Sequence, residues 1–208
     1  QLMDSIKTAY STAYNRMLVL AKSGKIGNIV SVDSICTSLS DLEKKTKQGS
    51  KLDEIWNSIC AWGPTAMLPI FQLLGTNYIE KQITSLLIAE DFDSFSKVSM
   101  VYPNSVASFK VGKGVKSEGE LIVSGTKGYI YVPAPWWKTD YFEIRYENPS
   151  ENKRYFYQLD GEGIRYEILS FLKAIQTGKE SSYIDIEHSK NIVKIISDFY
   201  NKKYYRLL

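Results

Sequence analysis

Apolar residues first recur at the spacing of one helical face. Tyr10, Tyr14, Met17, Leu18 and Ala21 lie three or four apart, and the run stops at Ser23-Gly24, where glycine can take the left-handed closing conformation. Ile29 to Leu39 follows Gly27 and is rich in β-branched residues, which predicts a strand. Asp41 to Ser50, with Glu43-Lys44-Lys45-Thr46-Lys47, predicts a polar, solvated loop. Leu52 to Leu74 predicts two helices meeting near Trp62, because Gly63-Pro64 interrupts the pattern and proline lacks the helical donor. The second carries Met67, Ile70, Phe71 and Leu74 on one side, closes at Gly75 and is expected to kink at Pro69.

From Lys81 to Leu159 the period changes to two. Short segments rich in β-branched and aromatic residues are divided by turn residues: 82–89, 94–101, 105–111, 118–124, 128–132, 141–146 and 154–159. Consecutive strands without intervening helices predict antiparallel pairing, with a hairpin at Ser124-Gly125-Thr126-Lys127-Gly128. Two helices close the chain. Ile164, Ile168, Phe171, Leu172 and Ile175 form one stripe ending at Gly178, and Ile192, Ile195, Ile196 and Phe199 form another, capped by Asp185. The tail from Asn201 to Leu208 reads as a solvated or docked terminus. The expected fold class is α+β: a large, mostly antiparallel sheet with helices packed on one face, in a single domain spanning residues 1–208.

Composition narrows the partners. With 208 residues, 44% hydrophobic and 24% charged, the chain can bury a substantial core. Its formal charge of +3 is spread along the chain, which speaks against nucleic acid. Apolar runs such as Leu86-Leu87-Ile88-Ala89 are too short to span a bilayer, and no basic segment leads into an apolar one at the front. A cytoplasmic location without membrane partners is expected. Cys36 and Cys60 make neither a disulfide framework nor a zinc site and read as reduced, buried thiols. The chain opens on Gln1-Leu2-Met3 and runs directly into a helical pattern, so it reads as lacking an amino-terminal portion.

Few motifs carry chemistry. Asp160-Gly161-Glu162-Gly163-Ile164-Arg165-Tyr166 follows a strand and opens a helix, as a dinucleotide-binding turn does. Tyr166 stands where the third glycine belongs, and Glu162 sets a negative charge beside the phosphates, so a tight strand-to-helix turn is the better reading. Gly112-Lys113-Gly114 leads into a strand instead of a helix. His188 is the sole histidine and reads as packed and hydrogen-bonded, so neither a metal centre nor a relay of several histidines can be assembled. In Pro133-Ala134-Pro135-Trp136-Trp137, flat indole faces suit a sugar ring, but a core or subunit contact is favoured.

Several segments, in order, resemble the glucose-fructose oxidoreductase, inositol dehydrogenase and MocA family after its Rossmann domain. They are Leu2-Met3-Asp4-Ser5-Ile6-Lys7-Thr8-Ala9-Tyr10 with Lys22-Ser23-Gly24-Lys25-Ile26-Gly27, Leu68-Pro69-Ile70 with Leu73-Leu74-Gly75, Glu118-Gly119-Glu120-Leu121 with Gly125-Thr126-Lys127-Gly128-Tyr129-Ile130, and Gly163-Ile164-Arg165-Tyr166-Glu167-Ile168. The resemblance implies a parent enzyme that holds NAD or NADP in an absent amino-terminal Rossmann domain, with none held by this chain. It also implies a carboxy-terminal domain that binds a sugar or polyol substrate and forms a homodimer or larger assembly through its sheet face.

It places substrate contacts at Trp62, Thr65 and Tyr166, with no catalytic, cofactor-binding or metal-binding residue assigned. The family's acidic residue and its His or Tyr one turn later fall on Ala61 and Thr65. Alanine has no functional group, and a threonine hydroxyl is a poor acid or base near neutral pH. A catalytically silent sugar-binding or regulatory relative is therefore the alternative, and a pure oligomerisation module the third.

Overall fold

The computed structural model describes residues 2–40, 42–52, 55–179 and 181–208. Its strands are β1 (Ile29–Thr37), β2 (Glu80–Ala89), β3 (Phe92–Val101), β4 (Val106–Gly112), β5 (Leu121–Gly125), β6 (Tyr129–Val132), β7 (Tyr141–Arg145), β8 (Lys153–Phe156) and β9 (Tyr205–Leu207). They join one sheet in the order β8-β7-β6-β5-β1-β4-β3-β2-β9. Strands linked by short turns pair antiparallel, whereas β1 with β4 and β2 with β9, separated by long stretches of chain, pair parallel. The α+β class therefore holds, with a mixed sheet.

Alternation aims one face of the strands from β1 to β7 at a common core, while β8 and β9 stay largely exposed. Val32 of β1, Ile83 of β2, Val98 of β3, Phe109 of β4, Val123 of β5 and Ile130 of β6 are all fully buried. Over that face lie α1 (Thr12–Lys22), α3 (Ser58–Leu74) and α5 (Ile186–Tyr200), while α2 (Leu42–Lys47) and α4 (Ile164–Thr177) stand at its margins. At the edge, the buried amine of Lys81 meets Asp198 at 2.5 Å and ties β2 to α5.

Three sequence expectations are altered. The two helices expected to meet near Trp62 are one helix of 17 residues that runs through both Pro64 and Pro69. A proline inside a helix costs about 3 kcal/mol. Burying Met67, Leu68, Ile70 and Phe71 against the sheet offsets more than that, at about 1.5 to 3 kcal/mol for each large side chain. Ser34 Oγ of β1 also donates to the Ala66 carbonyl at 2.6 Å, next to the carbonyl that Pro69 leaves without its helical donor. The polar loop after β1 contains α2, with Asp41 outside the described residues. Of the two readings left open for the tail, solvated or docked, the structure shows the docked one, with Tyr205 to Leu207 pairing with Ile83 to Ser85.

The third change concerns α4, where the residues turned inward are the small Ser170 and Ala174. Ile164, Ile168, Leu169, Leu172 and Ile175 lie 46 to 57% exposed, so the stripe expected to pack faces outward. By contrast α5 buries Ile192, Ile195 and Phe199 as its pattern predicts, and Asp185 caps it by accepting the Glu187 N–H at 2.8 Å.

Candidate functional site

α3 starts where Asn57 accepts the Cys60 N–H at 3.0 Å, and its next turns carry Trp62 and Thr65 out past the edge of the core. The Pro-Ala-Pro segment after β6 delivers two indoles to different places. Trp136 is fully buried and donates its Nε1–H to the Ile35 carbonyl at 3.1 Å. Trp137 turns to Trp62, with ring centres 5.0 Å apart and planes at 53°. Thr8 Oγ1 donates to the Trp137 carbonyl at 2.9 Å, and Trp62 Nε1 donates to Ser38 Oγ at 3.3 Å, so both indoles are held from behind.

Beside them opens a cleft of about 400 Å³. Its walls are the chain start from Ser5 to Thr8, Trp62 and Thr65 of α3, Trp137-Lys138, and Ile164 with Glu167 of α4. Trp62 and Thr65 both line this cleft. Tyr166 packs against the core, and α4 contributes its neighbours to the wall instead. Ala61 sits one turn before Thr65 and adds no polar group. The sequence reading favoured a structural role for both indoles. Consecutive residues in a tight turn point in different directions, and that was the available signal that only one of the pair could enter the core.

One edge of the cleft is charged. The Glu162 carboxylate receives Lys138 Nζ on Oε1 at 2.8 Å and Lys7 Nζ on Oε2, and these two ammonium groups, Lys138 foremost, hold its pKa below the usual glutamate value. Glu162 lies at φ 53° and Gly163 at φ 89°, both in the left-handed region. A Cβ on Gly163 would stand 2.4 Å from the Lys7 carbonyl oxygen. The glycine-rich turn is therefore spent on bringing the chain start and α4 together. In the Gly112–Gly114 turn, the Lys113 and Gly114 N–H groups both donate to the Ser94 carbonyl.

Other places offer less chemistry. A larger cavity of about 710 Å³ lies between Trp56, Cys60, Phe92 and Tyr200. Its polar groups are engaged with one another: Asn57 caps α3 and donates to Tyr200, Cys60 Sγ lies 3.3 Å from the Tyr200 hydroxyl, and Asp91 binds Lys202. Burial also pushes the Cys60 thiol pKa up, which disfavours the nucleophilic thiolate. His188 stacks on Phe71 at 6.4 Å, and burial lowers its pKa, with Asp185 opposing. Its Nδ1 is buried without a hydrogen-bond partner, so the packing expected of this residue is present but a bond at that nitrogen is not. Among the described residues no three His, Cys, Asp or Glu side chains form a metal-holding group, and no helix is long and apolar enough to cross a membrane.

No protein-family profile matches the sequence, and no curated protein matches it. Solved structures do. A complex of KijD10, a 3-ketoreductase from Actinomadura kijaniata, with NADP and TDP-benzene is similar at TM-score 0.77 and 12% identity, covering 100% of this chain and 64% of that one. An NAD binding oxidoreductase from Klebsiella pneumoniae is similar at TM-score 0.71 and 13% identity, covering 93% of this chain and 61% of that one. At these identities the likeness shows the fold, and the chain spans less than two thirds of either protein.

Proposed function

We propose that this chain is the substrate-binding and assembly part of an NAD- or NADP-dependent oxidoreductase acting on a sugar or polyol. The observation that carries this reading is the indole pair of Trp62 and Trp137 beside Thr65. Aromatic faces suit the C–H faces of a sugar ring, while the Thr65 hydroxyl and the Glu167 carboxylate can order its hydroxyl groups. The fold likeness to NAD- and NADP-binding oxidoreductases adds support.

A nicotinamide cofactor, when bound, supplies the hydride acceptor or donor. Neither glycine-rich turn of this chain fits a dinucleotide, so a Rossmann domain preceding it is the proposed holder. The bare apolar stripe of α4 starts at the cleft wall with Ile164, which suits a face that such a domain covers. What these residues do is bind and orient. Proton transfer is weakly provided for, since Ala61 has no function and Thr65 is a poor acid or base. That favours a slow enzyme or a silent sugar-binding relative as the second reading.

Assembly is proposed through the outer sheet face. There Arg145 lies 4.4 Å over the Tyr131 ring and binds Glu143, which also binds Arg154.

The binding half is tested by titrating hexoses and polyols while following tryptophan emission. Quenching that is lost in Trp137→Ala and Thr65→Ala is expected. If Trp137→Ala binds every responding ligand as the unaltered chain does, the cleft is not the site.

A further inference from the structure

The charged edge of the cleft narrows the substrate class, given the reading above that the cleft takes a sugar. We infer that Lys7 and Lys138 form an anion-receiving subsite in which Glu162 is an internal stand-in, and that the substrate carries a phosphate or diphosphate group. The two amines come from separate parts of the chain, one before α1 and one in the turn after Trp137, and both residues line the cleft. One carboxylate spans them with one oxygen on each. A phosphate group presents oxygens at similar spacing and carries up to twice the charge.

Three features suit exchange of one anion for the other. Lys7, Glu162 and Lys138 have side chains 32, 39 and 41% exposed, and ion pairs so open to water hold weakly. Lys7 and Lys138 both line the cleft, so an anion that enters it can reach both residues. Its backbone is held in the left-handed region, where a non-glycine residue is uncommon and tends to mark functional sites. With Glu162 in place, the formal charges of Lys7, Lys138, Glu162 and Glu167 at the cleft cancel. Glu167 also lines the cleft, where its carboxylate can meet a substrate hydroxyl. Displacing Glu162 leaves two cations facing the phosphate, next to the indole pair that holds the ring.

The test compares glucose, glucose 1-phosphate, UDP-glucose and inorganic pyrophosphate by calorimetry at low salt. The proteins are the unaltered chain, Lys7→Gln, Lys138→Gln and Glu162→Gln, each first checked for an unchanged melting curve. Expected are at least ~10-fold tighter binding of one phosphorylated sugar than of glucose, a loss of about 10-fold for it in each lysine variant, and a gain of a few-fold in Glu162→Gln. Glucose itself should be indifferent to all three. The two phosphorylated sugars separate a simple ester from a nucleotide diphosphate.

If glucose binds as tightly as its phosphorylated forms, or Glu162→Gln weakens all ligands alike, the subsite is wrong while the sugar cleft stands. If no sugar binds but pyrophosphate does, in a manner sensitive to Lys138→Gln, the subsite stands and the sugar reading falls. If nothing binds, both fall.

Discussion

Replacing Gly163 by alanine isolates the contact that builds the cleft. At φ 89° a side chain meets the left-handed cost, about 1 to 2 kcal/mol. The new Cβ would also stand 2.4 Å from the Lys7 carbonyl oxygen, and opening that gap to an ordinary 3.4 Å moves one segment by about 1 Å. Overpacking of this kind costs about 1 to 3 kcal/mol, so a total near 3 kcal/mol is expected. Gly178 is the internal control, with φ 66° and nothing within 4 Å of its missing Cβ. Gly178→Ala should lose only the backbone part, about 1 kcal/mol. For a chain of this size each kcal/mol lowers the melting temperature by about 2 to 4 °C. Differential scanning calorimetry should therefore place Gly163→Ala about 6 to 12 °C below the unaltered chain and Gly178→Ala about 2 to 4 °C below it. Gly163→Ala should also lose sugar-induced tryptophan quenching, since Lys7 and Thr8 move with the displaced segment. Equal melting temperatures for the two variants would refute the reasoning.

Lys81→Met leaves Asp198 buried beside an apolar side chain, which should cost about 3 to 5 kcal/mol in urea unfolding, with most of it recovered when Asp198→Leu is added; a single-variant loss under about 1 kcal/mol would contradict the buried pair. Alkaline stability should fall above about pH 10, because burial raises the Tyr14 phenol pKa well above its ordinary value. The unfolded chain releases that proton where the folded one keeps it. Lys81 acts in the same direction: burial opposes its charge, yet Asp198 and Tyr78 hold its pKa above normal, so its contribution is complete below the unfolded value and lost as pH rises through the folded one. Tyr14→Phe should flatten the alkaline limb at a neutral-pH cost of about 1 kcal/mol for its 2.7 Å hydrogen bond to Gln72, and an unchanged limb would count against the assignment. Light scattering should show a dimer that Arg145→Glu disrupts; a monomer at high concentration would remove the outer sheet face as the contact.

Local rules are legible in the sequence wherever one chain segment sees one environment. The strands from β2 to β8 follow from period-two patterning and turn residues, and α5 from its stripe and the Asp185 cap, because each buries a regular face against the core. Trp62 and Thr65 were named from the family resemblance, whereas the local pattern put a helix break between them that the structure does not have. The turn that leads into α4 was legible in its glycines, and the structure has a 3-10 turn there over Asp160–Gly163.

Contacts between distant segments belong to the tertiary structure. Whether Gly63-Pro64 breaks a helix depends on what lies beneath it, and the sheet holds α3 continuous because burying its apolar face outweighs the proline cost. The stripe of α4 has a regular period, but period alone does not say which side a helix turns inward. The structure turns the small Ser170 and Ala174 inward, with Ser170 donating to the Ser181 carbonyl, and leaves the isoleucines outside. The same holds for the cleft. Lys7, Trp137, Lys138 and Glu162 share no local pattern, and they meet because the sheet and Gly163 bring the chain start, the turn after β6 and the start of α4 to one point.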